Sequence, residues 1–140
     1  MKKNMLVLYL GTLFLILLPS CNPAPPTLSP AEQDAILLFS EAKTDNLVAG
    51  LNAGDYAAFS RDFDQDMLTA IPQSEFAAFK LERETDLGLY ISRQVNQVVI
   101  DGGFYAVIYD AVFEKDDSVT MRVVFRTAEP HEISGLWFRK

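Results

Sequence analysis

Cysteine, histidine and tryptophan each occur once in the 140 residues, as Cys21, His131 and Trp137. A single cysteine excludes an internal disulfide bond. We find no set of His, Cys and carboxylate ligands at the spacing of a zinc site, and a serine–histidine–aspartate triad would have to use His131, which lies in a predicted turn. Gly102-Gly103 joins two predicted strands and opens no helix, so it is not a phosphate-binding loop. We therefore expect no metal, no cofactor and no nucleophilic catalysis.

Basic residues are also scarce, with 12 Lys and Arg against 19 Asp and Glu, which gives a formal net charge of −7 at pH 7. Removal of a signal that contains Lys2 and Lys3 would leave 10 basic residues against 19 acidic ones, a charge of −9. An acidic surface repels phosphate backbones, so we expect no nucleic-acid partner. It does not favour anionic lipids either, so attachment to a membrane would need an anchor.

The first residues read as an export signal. Lys2 and Lys3 precede an apolar run over residues 5–18, which is short for a transmembrane helix and typical of a signal peptide. The run ends in Leu-Pro-Ser-Cys, which resembles a bacterial lipobox, so we predict a signal peptide over residues 1–20 and lipidation at Cys21. Two or more acyl chains anchor a protein stably, which predicts an extracytoplasmic, membrane-bound location in the cell envelope. An uncut anchor or an ordinary signal are the alternatives.

Three prolines in residues 22–29 predict an extended tether over residues 21–29, which leaves one domain over residues 30–140. That domain begins at a capping box, in which Ser29 precedes Pro30 and Glu32 stands three residues later. Apolar periodicity and stop signals predict helices over residues 30–51, 56–60, 67–70 and 75–87.

Alternation of apolar and polar residues then predicts strands over residues 89–101, 104–114, 118–127 and 133–139, with a bulge at Gly135. Helices followed by four sequential antiparallel strands predict an α+β fold, with N-terminal helices packed on a curved four-stranded antiparallel sheet.

The segment over residues 47–67, LVAGLNAGDYAAFSRDFDQDM, resembles a family of small secreted bacterial and archaeal domains of unknown function. These domains are similar to the nuclear transport factor 2-like superfamily, whose cone-shaped α+β fold is also called cystatin-like. The terminal Gly135-Leu136-Trp137-Phe138 is similar to the closing strand of such domains. The resemblance spans roughly residues 31–139 and implies a conical pocket between a curved sheet and the helices. It transfers shape rather than chemistry, because superfamily members include both enzymes and binding proteins.

The acidic loop Asp62-Phe63-Asp64-Gln65-Asp66 has the spacing that opens an EF-hand. Met67 stands where that loop needs glycine, and Gln73 where it needs glutamate. We therefore predict that Asp64 or Asp66 caps the next helix while Phe63 enters the core; a loose surface metal site is the alternative.

Asp110 and Tyr109 are the candidate catalytic residues, since superfamily relatives that isomerise or dehydrate use a pocket aspartate with a tyrosine. A buried Asp110 would have a raised pKa suited to a general base. In the alternative, Asp110 lies at a solvated sheet face or pairs with Arg122. Tyr90, Tyr105, Tyr109 and Trp137 are candidate ligand contacts, with a role in the core as the alternative.

Three functions remain open from the sequence. The favoured one is a membrane-tethered, non-enzymatic domain that binds a small apolar or amphipathic ligand or an envelope protein. The second is an acid–base enzyme of the isomerase or dehydratase type. The third is a structural homodimer that pairs through the sheet.

Overall fold

The computed structural model describes residues 27–140, so the predicted signal peptide, Cys21 and most of the tether lie outside the described residues. Four helices precede four strands. The helices are α1 (Pro30–Ala53), α2 (Tyr56–Phe59), α3 (Gln65–Ala70) and α4 (Gln73–Asp86), and the strands are β1 (Tyr90–Asp101), β2 (Phe104–Phe113), β3 (Asp116–Arg126) and β4 (Ile133–Arg139). This order confirms the predicted α+β class with a curved antiparallel sheet. Among residues 27–140, no helix combines the length and apolar character needed to cross a membrane.

The two ends of α1 follow from its sequence. The Ser29 hydroxyl accepts a hydrogen bond from the amide of Glu32, and the Glu32 carboxylate accepts one from the amide of Ser29 at 2.7 Å, which confirms the capping box. At the other end Gly54 adopts the left-handed conformation, with φ of 69°, and its amide donates to the carbonyls of Gly50 and Leu51. Glycine is favoured there because it has no Cβ to clash in this conformation.

Several element boundaries differ from the predicted ones: α1 extends to Ala53, and α3 begins at Gln65. α4 begins at Gln73, after Pro72, rather than at residue 75, and no side chain caps it. β3 begins at Asp116, because Asp116 pairs with Phe113 and the turn is correspondingly shorter than predicted.

The sheet is a meander in the order β1-β2-β3-β4, with every neighbouring pair antiparallel. Successive side chains of a strand point to opposite faces. The inner face packs against the helices and includes Val107, Tyr109, Val123 and Phe125, all with no exposed surface. The outer face of β2, β3 and β4 carries Phe104, Ala106, Ile108, Asp110, Thr120, Arg122, Val124, Trp137 and Arg139.

Packed side chains occupy the space between the helices and the inner face. Ile36, Leu47 and Leu51 of α1 are buried there, and an aromatic group is formed by Phe59 with Phe63 and Phe76 at centroid distances of 4.9 and 4.8 Å. The conical pocket that the family resemblance implies is therefore filled by side chains around Tyr109, Phe125 and their neighbours.

The loop before α3 is tied to the start of β4. The amide of Ile133 donates to the carbonyl of Asp62 at 2.7 Å, and the amide of Asp64 donates to the carbonyl of Ile133 at 2.9 Å. Phe63 and Ile133 form a parallel bridge. The loop thus covers the first residue of an edge strand.

Candidate functional site

A hollow of about 280 Å³ on the outer face is lined by Ile108, Thr120, Arg122, Trp137 and Arg139, and we call it the Trp137 site. Strand register brings these side chains together, since Arg122 lies between Ile108 of β2 and Trp137 of β4, and Thr120 lies beside Arg139. Cross-strand neighbours on one face are close enough for direct contact. The site therefore combines apolar side chains with two guanidinium groups.

Trp137 is 52% exposed although it lies within a strand. Its indole ring covers Gly135, where an added Cβ would collide with Cη2 and Cζ3 of the ring. The pairing of β3 with β4 shifts register at this point, which confirms the predicted bulge. On β3, the Arg122 Cζ lies 5.4 Å from the indole centroid, within the range of a cation–π contact. Gly135 and Arg122 together hold the ring in place while half of its surface stays in water.

The two arginines of the Trp137 site differ from Arg93 on the inner face and Arg126 on the outer face in their carboxylate partners. Arg93 pairs with Glu41 and Asp45, and Arg126 pairs with Asp64 and Asp66. Within residues 27–140, the guanidinium groups of Arg122 and Arg139 have no carboxylate within 4.0 Å and no hydrogen-bond partner. Their charges create a local positive potential on an otherwise acidic chain.

A buried polar cluster on the inner face fixes β1 against α1. The Arg93 side chain is 7% exposed, and its Nη2 lies 2.9 Å from Glu41 and 2.8 Å from Asp45. Its Cζ lies 5.1 Å from the Tyr109 ring centroid, and its Nη1 donates to the Tyr90 hydroxyl at 3.1 Å. These contacts hold Tyr109 in the packed interior and the partly buried Tyr90 against the core.

Tyr109 has no exposed surface, and its hydroxyl hydrogen-bonds the Thr44 hydroxyl at 3.2 Å. Burial is the main cause that raises the pKa of Tyr109 well above its usual range, because the charged phenolate would lose its hydration. The phenol therefore keeps its proton at neutral pH, and its hydroxyl joins β2 to α1 through Thr44.

Asp110 lies on the outer face, exposed, and the Asn96 amide donates to its two carboxylate oxygens at 3.0 and 2.9 Å. Arg122, the partner considered for Asp110, contacts Trp137 instead. Tyr109 points to the opposite face of the same strand. The general-base hypothesis required an enclosed Asp110 carboxylate with the Tyr109 hydroxyl nearby. The Asp110 carboxylate is exposed, and the Tyr109 hydroxyl lies on the other side of the sheet.

Tyr105 lines a second hollow, of about 230 Å³, between α1 and one end of the sheet. There the Phe39 and His131 rings stack with centroids 4.1 Å apart, and Tyr105 packs edge-on to His131 at 5.9 Å. The hollow is lined by Leu28, Glu32, Ala35, Ile36, Phe39, Ile100, Tyr105 and His131. The four aromatic candidates therefore do not converge. Tyr109 lies in the interior, and Tyr90 packs against the core at its margin. Tyr105 lines this hollow, and Trp137 lies on the outer face.

Each carboxylate of the acidic loop has its own protein partner. Asp62 accepts from Lys43 at 2.8 Å, and Asp64 accepts from the Met67 amide at 2.9 Å and so caps α3, as predicted. Phe63 is 5% exposed and lies in the core, also as predicted. In the part of the chain that the structure describes, no three His, Cys, Asp or Glu side chains are grouped to hold a metal ion.

Sequence reasoning identified Trp137 but missed Ile108, Thr120 and Arg139 as its neighbours. The available signal was register: once the two hairpins are aligned, the pairs Thr120–Arg139 and Arg122–Trp137 follow. The position of Arg122 on the polar side of an alternating strand indicated only a possible partner for Asp110, and not a neighbour of Trp137.

A comparison with curated proteins finds no match. A protein-family model, described as Protein of unknown function (DUF3887), matches residues 44–136. The match begins within α1 and ends within β4, so it includes Arg122 of the Trp137 site and stops before Trp137 and Arg139. Since it covers more than half of the chain, the protein belongs to this family of unknown function, DUF3887.

Proposed function

We propose that the protein is a non-catalytic binding domain, held at the outer surface of a membrane by a lipid on Cys21, and that the Trp137 site takes a small amphipathic ligand. One observation carries the proposal: Trp137 keeps 52% of its surface exposed in a hollow that also holds Arg122 and Arg139. Exposed aromatic rings beside convergent polar groups are typical of ligand sites.

The size of the Trp137 site limits what it can take. Its volume of about 280 Å³ lies just below the range of roughly 300–1,000 Å³ for ligand pockets. The site is a hollow on a sheet face rather than an enclosed cavity. It therefore suits a small molecule with one apolar and one polar end, part of which stays in water.

The anchor would keep this domain close to its membrane. A fully extended link of the nine residues from Cys21 to Pro30 spans at most about 32 Å. The N-terminus of α1 would then stay within that distance of the lipid–water boundary, and a ligand released from the membrane would meet the domain at once.

We also propose that the domain is a member of the nuclear transport factor 2-like superfamily. In support, the helices precede a curved four-stranded meander, and α1 lies along the inner face of that sheet. This assignment concerns shape, and the proposed binding does not depend on it.

The anchor is tested by metabolic labelling with an alkyne-bearing fatty acid. We expect label on the full chain in the membrane fraction and no label on Cys21→Ser, because the thiol is the predicted acceptor. An unlabelled wild-type chain would contradict the anchor without bearing on the Trp137 site.

The binding site is tested by calorimetric titration of the full chain, reconstituted in phosphatidylcholine vesicles, with 4-phenylbutyrate and with 4-phenylbutan-1-ol. Empty vesicles give the background from partitioning. We expect at least one compound to bind, and Trp137→Ala to weaken that binding at least tenfold. Leu38→Ala is the matched control, because Leu38 is 84% exposed on α1 and lines neither hollow. Absence of binding by both compounds would refute the proposal.

A further inference from the structure

We infer that the Trp137 site selects anions, and that its ligand is a small apolar carboxylate held by Arg122 and Arg139 with its apolar part on Trp137 and Ile108. This inference rests on the proposed function and specifies the ligand class of the same site. It is carried by charge complementarity in the hollow.

Within residues 27–140, neither guanidinium group of the Trp137 site has a carboxylate partner, although the chain has a surplus of carboxylates. With 19 acidic against 12 basic residues, each arginine has many possible partners, and Arg93 and Arg126 each contact two carboxylates. Arg122 and Arg139 line one hollow and, within residues 27–140, pair with none. An anion from solution would supply the acceptors that the protein leaves out.

The position of Arg122 leaves its donors available to such an anion. Its guanidinium contacts the face of the Trp137 ring, and a guanidinium that stacks through its flat face keeps N–H donors at its edge. A carboxylate has two oxygens and no donor, so it can accept from two guanidinium groups at once. Arg139 lines the same hollow and provides the second set of donors.

Charge around the site favours a single negative charge over a phosphate dianion. The net charge of −7 repels a dianion more strongly than a monoanion. Asp101 adds a carboxylate on the far side of Arg122, where it lines an adjacent hollow of about 200 Å³ together with Phe104 and Val124. That hollow continues the apolar surface, so the body of the ligand is aromatic or aliphatic.

A second copy of the chain is a poorer occupant of this hollow. Two copies that packed through their Trp137 sites would bring two pairs of unpaired guanidinium groups together, and facing like charges weaken association. A small carboxylate neutralises the same guanidinium groups, and its binding orders far fewer side chains than association with a second copy would.

The experiment uses three compounds that share one apolar part: 4-phenylbutyrate, 4-phenylbutan-1-ol and 4-phenylbutylamine. Each is titrated into the full chain in phosphatidylcholine vesicles, with excitation at 295 nm. Trp137 is the only tryptophan in the chain, so its emission reports on this site alone. We expect the acid to bind roughly tenfold or more tightly than the alcohol, because hydrogen bonds to charged groups are the stronger ones, and the amine to bind least.

Arg122→Gln and Arg139→Gln are each expected to reduce the affinity for the acid towards that of the alcohol, and to leave the affinity for the alcohol within about twofold. Arg61→Gln is the control, since Arg61 is exposed and lies outside the site, where its guanidinium donates a hydrogen bond to the Asn46 side chain. Circular dichroism of each variant verifies that the fold is intact.

Each other result would overturn a specific statement. Equal binding of acid and alcohol would refute anion selection and leave the proposed function standing, whereas binding of none of the three compounds would refute both. Tighter binding of 4-phenylbutyl phosphate than of the acid would refute the carboxylate assignment. Trp137 emission that becomes resistant to acrylamide quenching as the protein-to-lipid ratio rises would show that a second copy occupies the site.

Discussion

Arg93 and Arg122 lie on opposite faces of one sheet and differ in their partners. On the inner face, Arg93 is 7% exposed, contacts two carboxylates and packs over Tyr109. On the outer face, Arg122 contacts the exposed ring of Trp137 and has no carboxylate partner in residues 27–140. Both arginines lie over an aromatic ring, at 5.1 and 5.4 Å from its centroid.

This difference separates charges that stabilise the fold from charges that are available to a ligand. A buried guanidinium without partners would cost several kcal/mol, so Arg93 must be paired for the chain to fold. Water solvates Arg122, and a missing partner there costs little. We therefore assign a stabilising role to Arg93 and a role in recognition to Arg122, and substitutions at both positions test this assignment.

The largest effect is expected for Gly50→Ala in α1. An added Cβ would meet the backbone of Phe59 in α2, with Cα at 2.7 Å, and backbone cannot move aside as a side chain can. We expect the free energy of unfolding to fall by about 3 kcal/mol, at the upper end of overpacking effects. Urea denaturation measures it.

The exposed neighbour Ala49 provides the control for Gly50. Ala49→Gly should cost only about 1 kcal/mol, the usual penalty for glycine in a helix. If Gly50→Ala proved as mild as this control, the close crossing of α1 and α2 would be wrong.

The second prediction compares the arginines directly. Arg93→Gln should lower the free energy of unfolding by about 2–3 kcal/mol, since it removes a buried ion pair; the 40% and 70% exposure of Glu41 and Asp45 reduces the effect. Arg122→Gln should change it by less than about 0.5 kcal/mol. If urea denaturation gave the same loss of unfolding free energy for both variants, Arg93 and Arg122 would not differ in their contribution to stability.

The third prediction concerns pH. Burial alone would raise the pKa of Asp64, but hydrogen bonds from Met67, Ser134 and Arg126 and the charge of Arg126 outweigh it, so that pKa is lowered. A carboxylate with a lowered folded-state pKa stabilises the fold above its unfolded pKa of about 3.9, and this contribution is lost as pH falls through the folded value.

Asp64→Asn should therefore cost about 1–2 kcal/mol at pH 7, and the difference from wild type should shrink as pH falls below about 4. Chemical denaturation at a series of pH values measures both proteins. A difference that stayed constant down to pH 2.5 would show that the charge of Asp64 does not stabilise this loop.

The smallest effect on stability is expected for Gly135→Ala. The added Cβ would displace the Trp137 ring, with Cζ2 at 3.2 Å, but a side chain on the outer face can rotate into solvent. We expect a loss of about 1 kcal/mol or less. Acrylamide should quench Trp137 more strongly in the variant, and unchanged quenching would mean that Gly135 does not position the ring.

Local signals in the sequence were sufficient for the order of elements. The capping box at Ser29 and the left-handed glycine at residue 54 define α1, and alternation defines the four strands. Boundaries that depend on tertiary contacts were less well predicted: β3 starts two residues early because Asp116 pairs with Phe113 across the turn.

The candidate site was only partly predictable, because its residues come from three strands. Trp137 stood out as the only tryptophan, but its exposure depends on the bulge and on the absence of a side chain at Gly135. The pairing of Arg93 with Glu41 joins residues 52 positions apart, and no local pattern encodes such a contact. Asp110 matched a catalytic pattern in sequence and lies on the solvated face in the fold.

The bond between the loop and Ile133 has a consequence for neighbouring copies of the chain. β4 is an edge strand, and unpaired edges invite another strand to extend the sheet. Asp62 and Asp64 already use the amide and the carbonyl of Ile133. An incoming strand would find this edge blocked at its start and only a short remainder free, which disfavours extension of the sheet beyond β4 where copies are crowded together.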